Sequence, residues 1–308
     1  MRHHPAIAGV PRMNRSDYRR LRDDIAQQGQ QGIRLSPILV VGRCKAYSLR
    51  WLVRVRGCVL TGAAAGIGAA TARLFASRGW LVGASDVDGA ALASLQRELG
   101  PDKVITMAAD VRDFGAVETA IREFASAAGG QLDALFANAG VLFMGPHETV
   151  TRAQKDLLVD VNVRGVIHAF DAAFPFLRQT PGAHALAMCS TSAEYGAPEH
   201  AVYSATKFFV RGLTEALNIE YRRHDIQVSA IYVAYVQTGM VFDAKVKPAS
   251  IERMGVKVTP RQVAETAWRA VHGNRSHWRV GTDARLMNWV ARLLGPKTAV
   301  VSAWLMRS

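Results

Sequence analysis

From about residue 57 onward, short apolar runs alternate with longer stretches in which apolar residues recur every three or four positions. The runs at 58–61, 80–85, 104–108, 132–137, 183–189 and 226–232 predict strands. They are close to continuously apolar, as strands covered on both faces should be. The stretches at 66–77, 89–99, 114–127, 152–178 and 201–223 carry helical spacing. Strand and helix succeed each other in units of about 25–30 residues, which predicts a parallel sheet with helices on both faces. The expected fold class is α/β, a doubly wound sheet in a single domain over 54–308.

The first 53 residues break this rhythm. They are rich in Arg and Gln (RRLRDDIAQQGQQG) and show no sustained period, so they read as a basic, disordered extension. The charge supports that division. The whole chain of 308 residues has a net charge of +13, and residues 1–56 hold 12 Lys+Arg against 3 Asp+Glu. The excess therefore belongs to the extension more than to the domain. No aromatic interleaving or binding motif accompanies it, so a solvated tail is the reading and no nucleic-acid partner is expected. Three scattered cysteines, Cys44, Cys58 and Cys189, make neither a disulfide framework nor a CxxC metal site. There is no run of about 18 uncharged apolar residues and no apolar stretch in the first 25 residues. A soluble, cytoplasmic protein is the expectation.

The turn between the first strand and first helix reads Thr61-Gly62-Ala63-Ala64-Ala65-Gly66-Ile67-Gly68. Glycines there let the backbone approach a pyrophosphate, and the helix N-terminus faces the anion. Asp86 stands at the end of the second strand, near the spacing at which a carboxylate accepts the 2′-hydroxyl of an adenosine ribose. A carboxylate there repels a 2′-phosphate, and Ala65 offers no compensating charge. Both features favour NAD over NADP. Asp110-Val111 closes the third strand and Asn138-Ala139-Gly140 the fourth. Further on, Tyr203 and Lys207 stand four apart on a predicted helix, hence on one face. A Tyr with an ordinary pKa of about 10 is a poor base near neutrality, and bringing it down by about 3 takes roughly 4 kcal/mol. A neighbouring ammonium can supply part of that.

The TGxxxGxG loop, the Asn-Ala-Gly segment and the YxxxK pair, with Ser190 thirteen residues before Tyr203 and Asn162 in DVNVRG, resemble the short-chain dehydrogenase/reductase family over about 57–270. The resemblance implies a Rossmann-type fold that moves hydride between a nicotinamide cofactor and a secondary alcohol or ketone. It implies Tyr203 as acid/base, Ser190 as anchor of the substrate oxygen, Lys207 as tuner of Tyr203, and Asn162 as holder of a water linking Lys207 to solvent. Gly62, Gly66, Ile67, Gly68, Asp86, Asp110, Val111, Asn138 and Gly140 would contact the cofactor together with Tyr203 and Lys207, with Asp110 and Val111 beside the adenine. Val236 and Thr238 would grip the nicotinamide carboxamide. No metal is needed for such a reaction.

Two departures stand out. Ala137 replaces the Asn that usually precedes the Asn-Ala-Gly segment, and Val233-Ala234 replaces a Pro-Gly turn. The second bears on how the nicotinamide is presented. The segment 239–257, with Met240, Val241, Phe242, Val246 and Met254, is the expected lid, and Leu142, Phe143, Met144, Glu194 and Tyr195 are expected to flank an apolar substrate pocket with a few polar anchors. The apolar tail LMNWVARLLGPKTAVVSAWLM is expected to cover the pocket or a homodimer or homotetramer interface, with a membrane surface as the lesser alternative. The remaining alternatives are an NADPH-dependent reductase of the same family and a dinucleotide-sensing protein without turnover.

Overall fold

The computed structural model describes residues 34–35, 53–243, 251 and 255–295. Seven strands form one parallel sheet: β1 Gly57–Thr61, β2 Leu81–Asp86, β3 Val104–Ala108, β4 Ala134–Ala137, β5 Ala183–Met188, β6 Ile226–Tyr232 and β7 His277–Arg279. Their order across the sheet is β3-β2-β1-β4-β5-β6-β7, so the chain starts at the centre, winds to one edge, and then winds to the other. This is the doubly wound arrangement expected. A separate two-residue antiparallel ladder pairs Arg34 with Arg54 and Leu35 with Val53. The rest of the expected extension over 1–53 lies outside the described residues.

Helices flank the sheet: α1 Gly66–Ser77, α2 Gly89–Leu99, α3 Phe114–Ala127, α4 Arg152–Val159, α5 Gly165–Leu177, α6 Ala201–Glu220, α7 Gly239–Phe242, α8 Pro260–Ala270 and α9 Gly281–Leu294. Successive strand residues feed opposite cores, because side chains alternate across a sheet. Val59, Leu135, Ala185 and Val228 join Phe124 of α3 and Phe170 of α5 on one face. Cys58, Leu60, Phe136 and Leu186 join Phe75 of α1 and Ala267 of α8 on the other. Both faces are dry, which explains the unbroken apolar runs. Each fully buried large side chain contributes roughly 1.5–3 kcal/mol.

Among the described residues, four of the nine helices begin at a side-chain cap. Asp88 caps α2 by accepting from Ala91 N at 2.9 Å, and Asp113 caps α3 through Ala116 N. Thr151 with Gln154, and Thr259 with Gln262, form reciprocal capping boxes at α4 and α8. Several boundaries differ from expectation, β1 and β5 by one residue each, at Gly57 and Met188. β2 begins at Leu81 and reaches Asp86, because Trp80 turns into the second core. β4 begins at Ala134, since Asp133 is drawn aside to accept from Gly57 N at 2.8 Å. The helix expected over 152–178 is interrupted by a π-helical turn at Asp160–Arg164. The helix expected to reach 223 stops at Glu220, and Tyr221–His224 tightens into a 3-10 turn that ends at Asp225 in the left-handed conformation, φ 57°. β7 was not expected at all. It is a three-residue edge strand of His, Trp and Arg, too short and too polar to register as an apolar run.

Candidate active site

A cleft of about 330 Å³ opens at the carboxyl ends of the central strands, where the strand order reverses. Its floor is the glycine loop. Gly62 and Gly66 have φ of 65° and 52°, the left-handed region that glycine tolerates. A Cβ on Gly62 would stand 2.7 Å from Ala139 Cα, and one on Gly68 would collide with Gly62 O. Gly68 is therefore needed for packing the loop on α1, and it is not among the residues that line the cleft. The α1 N-terminus differs from those of α2, α3, α4 and α8. Its N-cap, Ala65, makes no side-chain cap bond, and no acidic residue stands in its first turn. The first N–H groups of α1 thus receive no bond from a capping side chain, and Gly66 and Ile67 line the cleft there.

Asn138 ties the loop to the end of β4. Its Nδ2 donates to Thr61 O at 3.0 Å and Gly62 O at 3.1 Å, while its backbone N donates to Thr61 Oγ1 at 3.0 Å. Asp86 lines the same end of the cleft and accepts from Ala64 N at 2.9 Å and from Asp88 N at 3.2 Å. Capping of α2 is left to Asp88, so the Asp86 carboxylate faces the cleft rather than the helix. This donor set, with a glycine cradle, an open helix N-terminus and a carboxylate at the tip of β2, fits a dinucleotide. Asp110 and Val111 do not line the cleft. The Asp110 carboxylate is held by Arg112, and the pair lowers its pKa. Val111 is packed under Gly165, and its carbonyl accepts from His168 Nδ1 at 2.9 Å.

At the other end, Ser190, Tyr203 and Lys207 line one wall. Ser190 ends the β5 path and caps a 3-10 turn at Thr191–Ala193, accepting from Ser192 N at 3.2 Å. Lys207 is 4 % exposed, and its Nζ donates to Met188 O at 3.0 Å and lies 5.5 Å from the Tyr203 ring centre. Burial pushes the Lys207 ammonium down. Burial also pushes the Tyr203 phenol well above its ordinary value, and the opposing influence is its hydrogen bond with Ser190 rather than Lys207. Among the protein's own groups, burial of the phenolate outweighs the Ser190 hydrogen bond and favours the neutral phenol. Asn162 sits buried in the π turn. Its Oδ1 accepts from Val141 N at 2.8 Å, and its Nδ2 donates to Val141 O at 2.9 Å and Thr206 Oγ1 at 3.3 Å. It braces the segment after β4 against α6, below Gly140 and Lys207. A π turn at a functional site is a recurrent device.

Val236 and Thr238 line the cleft opposite. The Val233-Ala234 substitution leaves the path in register, since Val233 O accepts from Thr191 N at 3.0 Å and Val236 bridges to Val258. A family model described as short chain dehydrogenase matches residues 57–248. The chain belongs to the short-chain dehydrogenase/reductase family. The levodione reductase of Leifsonia aquatica is 31% identical over 253 residues, which is 80% of this chain and 90% of that one. Among solved structures, the 3-ketoacyl-(acyl-carrier-protein) reductase of Brucella melitensis complexed with NADH has a TM-score of 0.67 at 30% identity, covering 73% of this chain and 96% of that one. A short chain dehydrogenase/reductase of Burkholderia phymatum in complex with NAD has a TM-score of 0.71 at 26% identity, covering 80% and 95%.

The remaining lining of this short-chain dehydrogenase comes from loops and the short helix α7. Leu142, Tyr195, Met240 and Val241 line the cleft as expected. Glu194 does not. Its carboxylate, 4 % exposed, is clamped by Arg279 at 2.6 Å and Arg211 at 2.8 Å, so it pins the 3-10 turn to β7 and α6. Phe143 is not on the cleft lining, and Met144 packs behind it with Val241 and Ile251. Phe242 is exposed, and Val246 and Met254 lie outside the described residues. None of α9 lines the cleft. It docks through Ala284 and Met287 and leaves Trp289 61 % exposed. The tail beyond 295 lies outside the described residues. His200 and Tyr235 line the cleft beside Tyr203 and were not singled out beforehand. Among the described residues, no helix is long and apolar enough to cross a membrane.

Proposed function

We propose that this chain is an oxidoreductase of the dehydrogenase family that interconverts a secondary alcohol and its ketone with NAD(H), the coenzyme favoured over NADP(H). The observation that carries the reading is that Ser190, Tyr203 and Lys207 share one cleft with the Gly62–Gly68 loop and Asp86. The loop and the uncapped α1 N-terminus would hold the pyrophosphate, Asp86 the adenosine ribose, and Val236 and Thr238 the nicotinamide end. The bound nicotinamide supplies or takes up the hydride.

The chain's own groups then handle the oxygen and its proton. Ser190 Oγ, fixed by the Ser192 amide, positions the substrate oxygen and donates to it as negative charge develops. Tyr203 takes the alcohol proton in oxidation and returns it in reduction. Burial keeps the phenol protonated, which suits the reducing direction. Oxidation needs the phenolate, so it depends on added positive charge nearby, from Lys207 and a cationic ring. Lys207 is held by Met188 O, within reach of that site. Asn162 keeps the wall between Gly140 and Lys207 in place, and the apolar walls from Leu142, Met240 and Val241 exclude water.

The test is a panel of secondary alcohols and ketones with NAD(H) and NADP(H), followed at the nicotinamide absorbance. Turnover that disappears in Tyr203→Phe supports the reading. Cofactor binding with no turnover across the panel points instead to a dinucleotide-sensing protein.

A further inference from the structure

Among the described residues, His200 is the one imidazole on the cleft lining. It is 4 % exposed and is the N-cap residue of α6, three residues before Tyr203. Its Nδ1 lies 2.9 Å from Pro198 O. A carbonyl only accepts, so Nδ1 carries the proton. Burial holds the ring below the ordinary imidazole range, against the pull of Pro198 and Glu199. The ring is thus neutral and Nε2 is a bare acceptor. Its partner in the chain is the Tyr235 hydroxyl at 3.4 Å, near the long limit for such a bond. The His200 ring centre is 6.2 Å from that of Tyr203 and 6.2 Å from that of Tyr235.

The turn that carries His200 is built to hold it. His200 N donates to Ala197 O, Ser204 N donates to His200 O at 2.6 Å, and Ala197 N donates to Ser204 Oγ at 3.1 Å. Glu199 adopts φ 58°, a conformation disfavoured for a residue with a Cβ, and its carbonyl accepts from Gly145 N at 2.9 Å. Such strain persists where the surroundings over-determine it, and it clusters at ligand sites. The effect is an acceptor of fixed tautomer, on a ring whose centre lies 6.2 Å from that of the phenol proposed to handle the reacting oxygen.

We propose that His200 is a specificity residue, whose Nε2 accepts a hydrogen bond from a hydroxyl carried by the substrate next to its reacting carbon. The pocket then selects vicinal diols and α-hydroxyketones over simple alcohols and ketones. A substrate hydroxyl takes the place of the long Tyr235 bond, with one oxygen at Ser190 and Tyr203 and the other at His200. A site that holds a hydroxyl in this way discriminates against the analogue lacking it, because the buried acceptor loses its partner. The inference rests on the dehydrogenase reading above and adds the substrate class.

Matched pairs test it: 2,3-butanediol against 2-butanol, and 2-hydroxyacetophenone against acetophenone, with NAD(H) and with NADP(H). The unmodified chain should favour the hydroxyl-bearing member by at least about tenfold in kcat/KM, mainly through KM. His200→Phe should bring each pair to near parity while cofactor affinity, read by fluorescence titration, stays within about twofold. His200→Gln keeps an acceptor oxygen and should restore part of the preference. Parity in the unmodified chain overturns the proposal without any variant, and so does a preference that survives His200→Phe. Silence of every pair and of the wider alcohol and ketone panel, with cofactor still bound, is a different failure: it removes the dehydrogenase reading itself.

Discussion

Asn138 donates to Thr61 twice: its Nδ2 to Thr61 O and its backbone N to Thr61 Oγ1, each at 3.0 Å. The pair locks the exit of β1 to the exit of β4, and with it the glycine loop to the wall below Gly140. Asn138→Ala would strand the carbonyls of Thr61 and Gly62, each losing a donor. A loss of about 1–3 kcal/mol is expected, seen as a lower midpoint in thermal or urea unfolding, with weaker cofactor binding. An unchanged midpoint would show that the loop is held by packing alone.

Tyr203→Phe keeps the ring and removes the proton carrier. Turnover should fall by about 10²–10⁴, while cofactor affinity changes much less. In the unmodified protein, alcohol oxidation should rise with pH, because it needs the phenolate that burial disfavours. Carbonyl reduction should be flat near neutrality and fall at high pH. A Phe variant retaining more than about a tenth of turnover, against that range, places the chemistry elsewhere.

Asp86→Asn keeps an oxygen to accept from Ala64 N while removing the charge that opposes a 2′-phosphate. The ratio of NADP(H) to NAD(H) affinity should rise about tenfold or more, on the scale of one close charge contact. Isothermal titration with both coenzymes reads it. Tighter NADP(H) binding by the unmodified chain would defeat the NAD preference.

His184 is buried on β5, and its Nε2 lies 2.8 Å from Ser229 Oγ. Because Ser229 Oγ donates to Arg275 O at 2.7 Å, the imidazole Nε2 is the donor in that pair. Burial lowers its pKa to about 3. In the unfolded chain the ring gains its proton near pH 6.5, whereas the folded protein keeps it neutral. The stabilisation is therefore complete above about pH 6.5 and drains away as pH falls towards 3, at up to roughly 1.4 kcal/mol per pH unit. His184→Gln should flatten that part of the curve of unfolding free energy against pH. A curve of unchanged slope would show that other groups govern acid sensitivity.

Glu194→Gln removes the charge that holds Arg279 and Arg211, the first of which is 16 % exposed. Breaking a buried pair from one side costs about 3–5 kcal/mol, and the exposed Arg211 arm puts the expectation at the lower end. The midpoint of unfolding should drop clearly while cofactor affinity is retained, because Glu194 braces the turn without lining the cleft. A large loss of cofactor binding at normal stability would contradict that division.

The layout of the sheet was legible because burying both faces of a strand demands an unbroken apolar run, and a helix over a sheet demands a three-to-four spacing. Cys58, Val59 and Leu60 satisfy both cores at once, so their pattern announced a central strand. Caps such as Asp88 and Thr151 follow the same local logic: a helix start needs an acceptor within three residues. The Tyr203 and Lys207 pair, and the glycines of the loop, were legible because helix spacing and turn sterics act over a few residues.

What the tertiary structure decided depends on contacts between distant segments. The side chain of Asn162, within the π turn, is spent on Val141, 21 residues away. Glu194 is an ion-pair hub because β7, too short to be read as a strand, brings Arg279 to it across 85 positions. The direction in which Tyr203 and Lys207 shift is set by desolvation, which depends on everything packed around them. His200 has no motif to announce it. Only folding places its bare Nε2 beside Tyr235 and Tyr203, because α6 and the segment after β6 meet at the mouth of the cleft, and a hydrogen-bond acceptor acquires meaning only from what it faces.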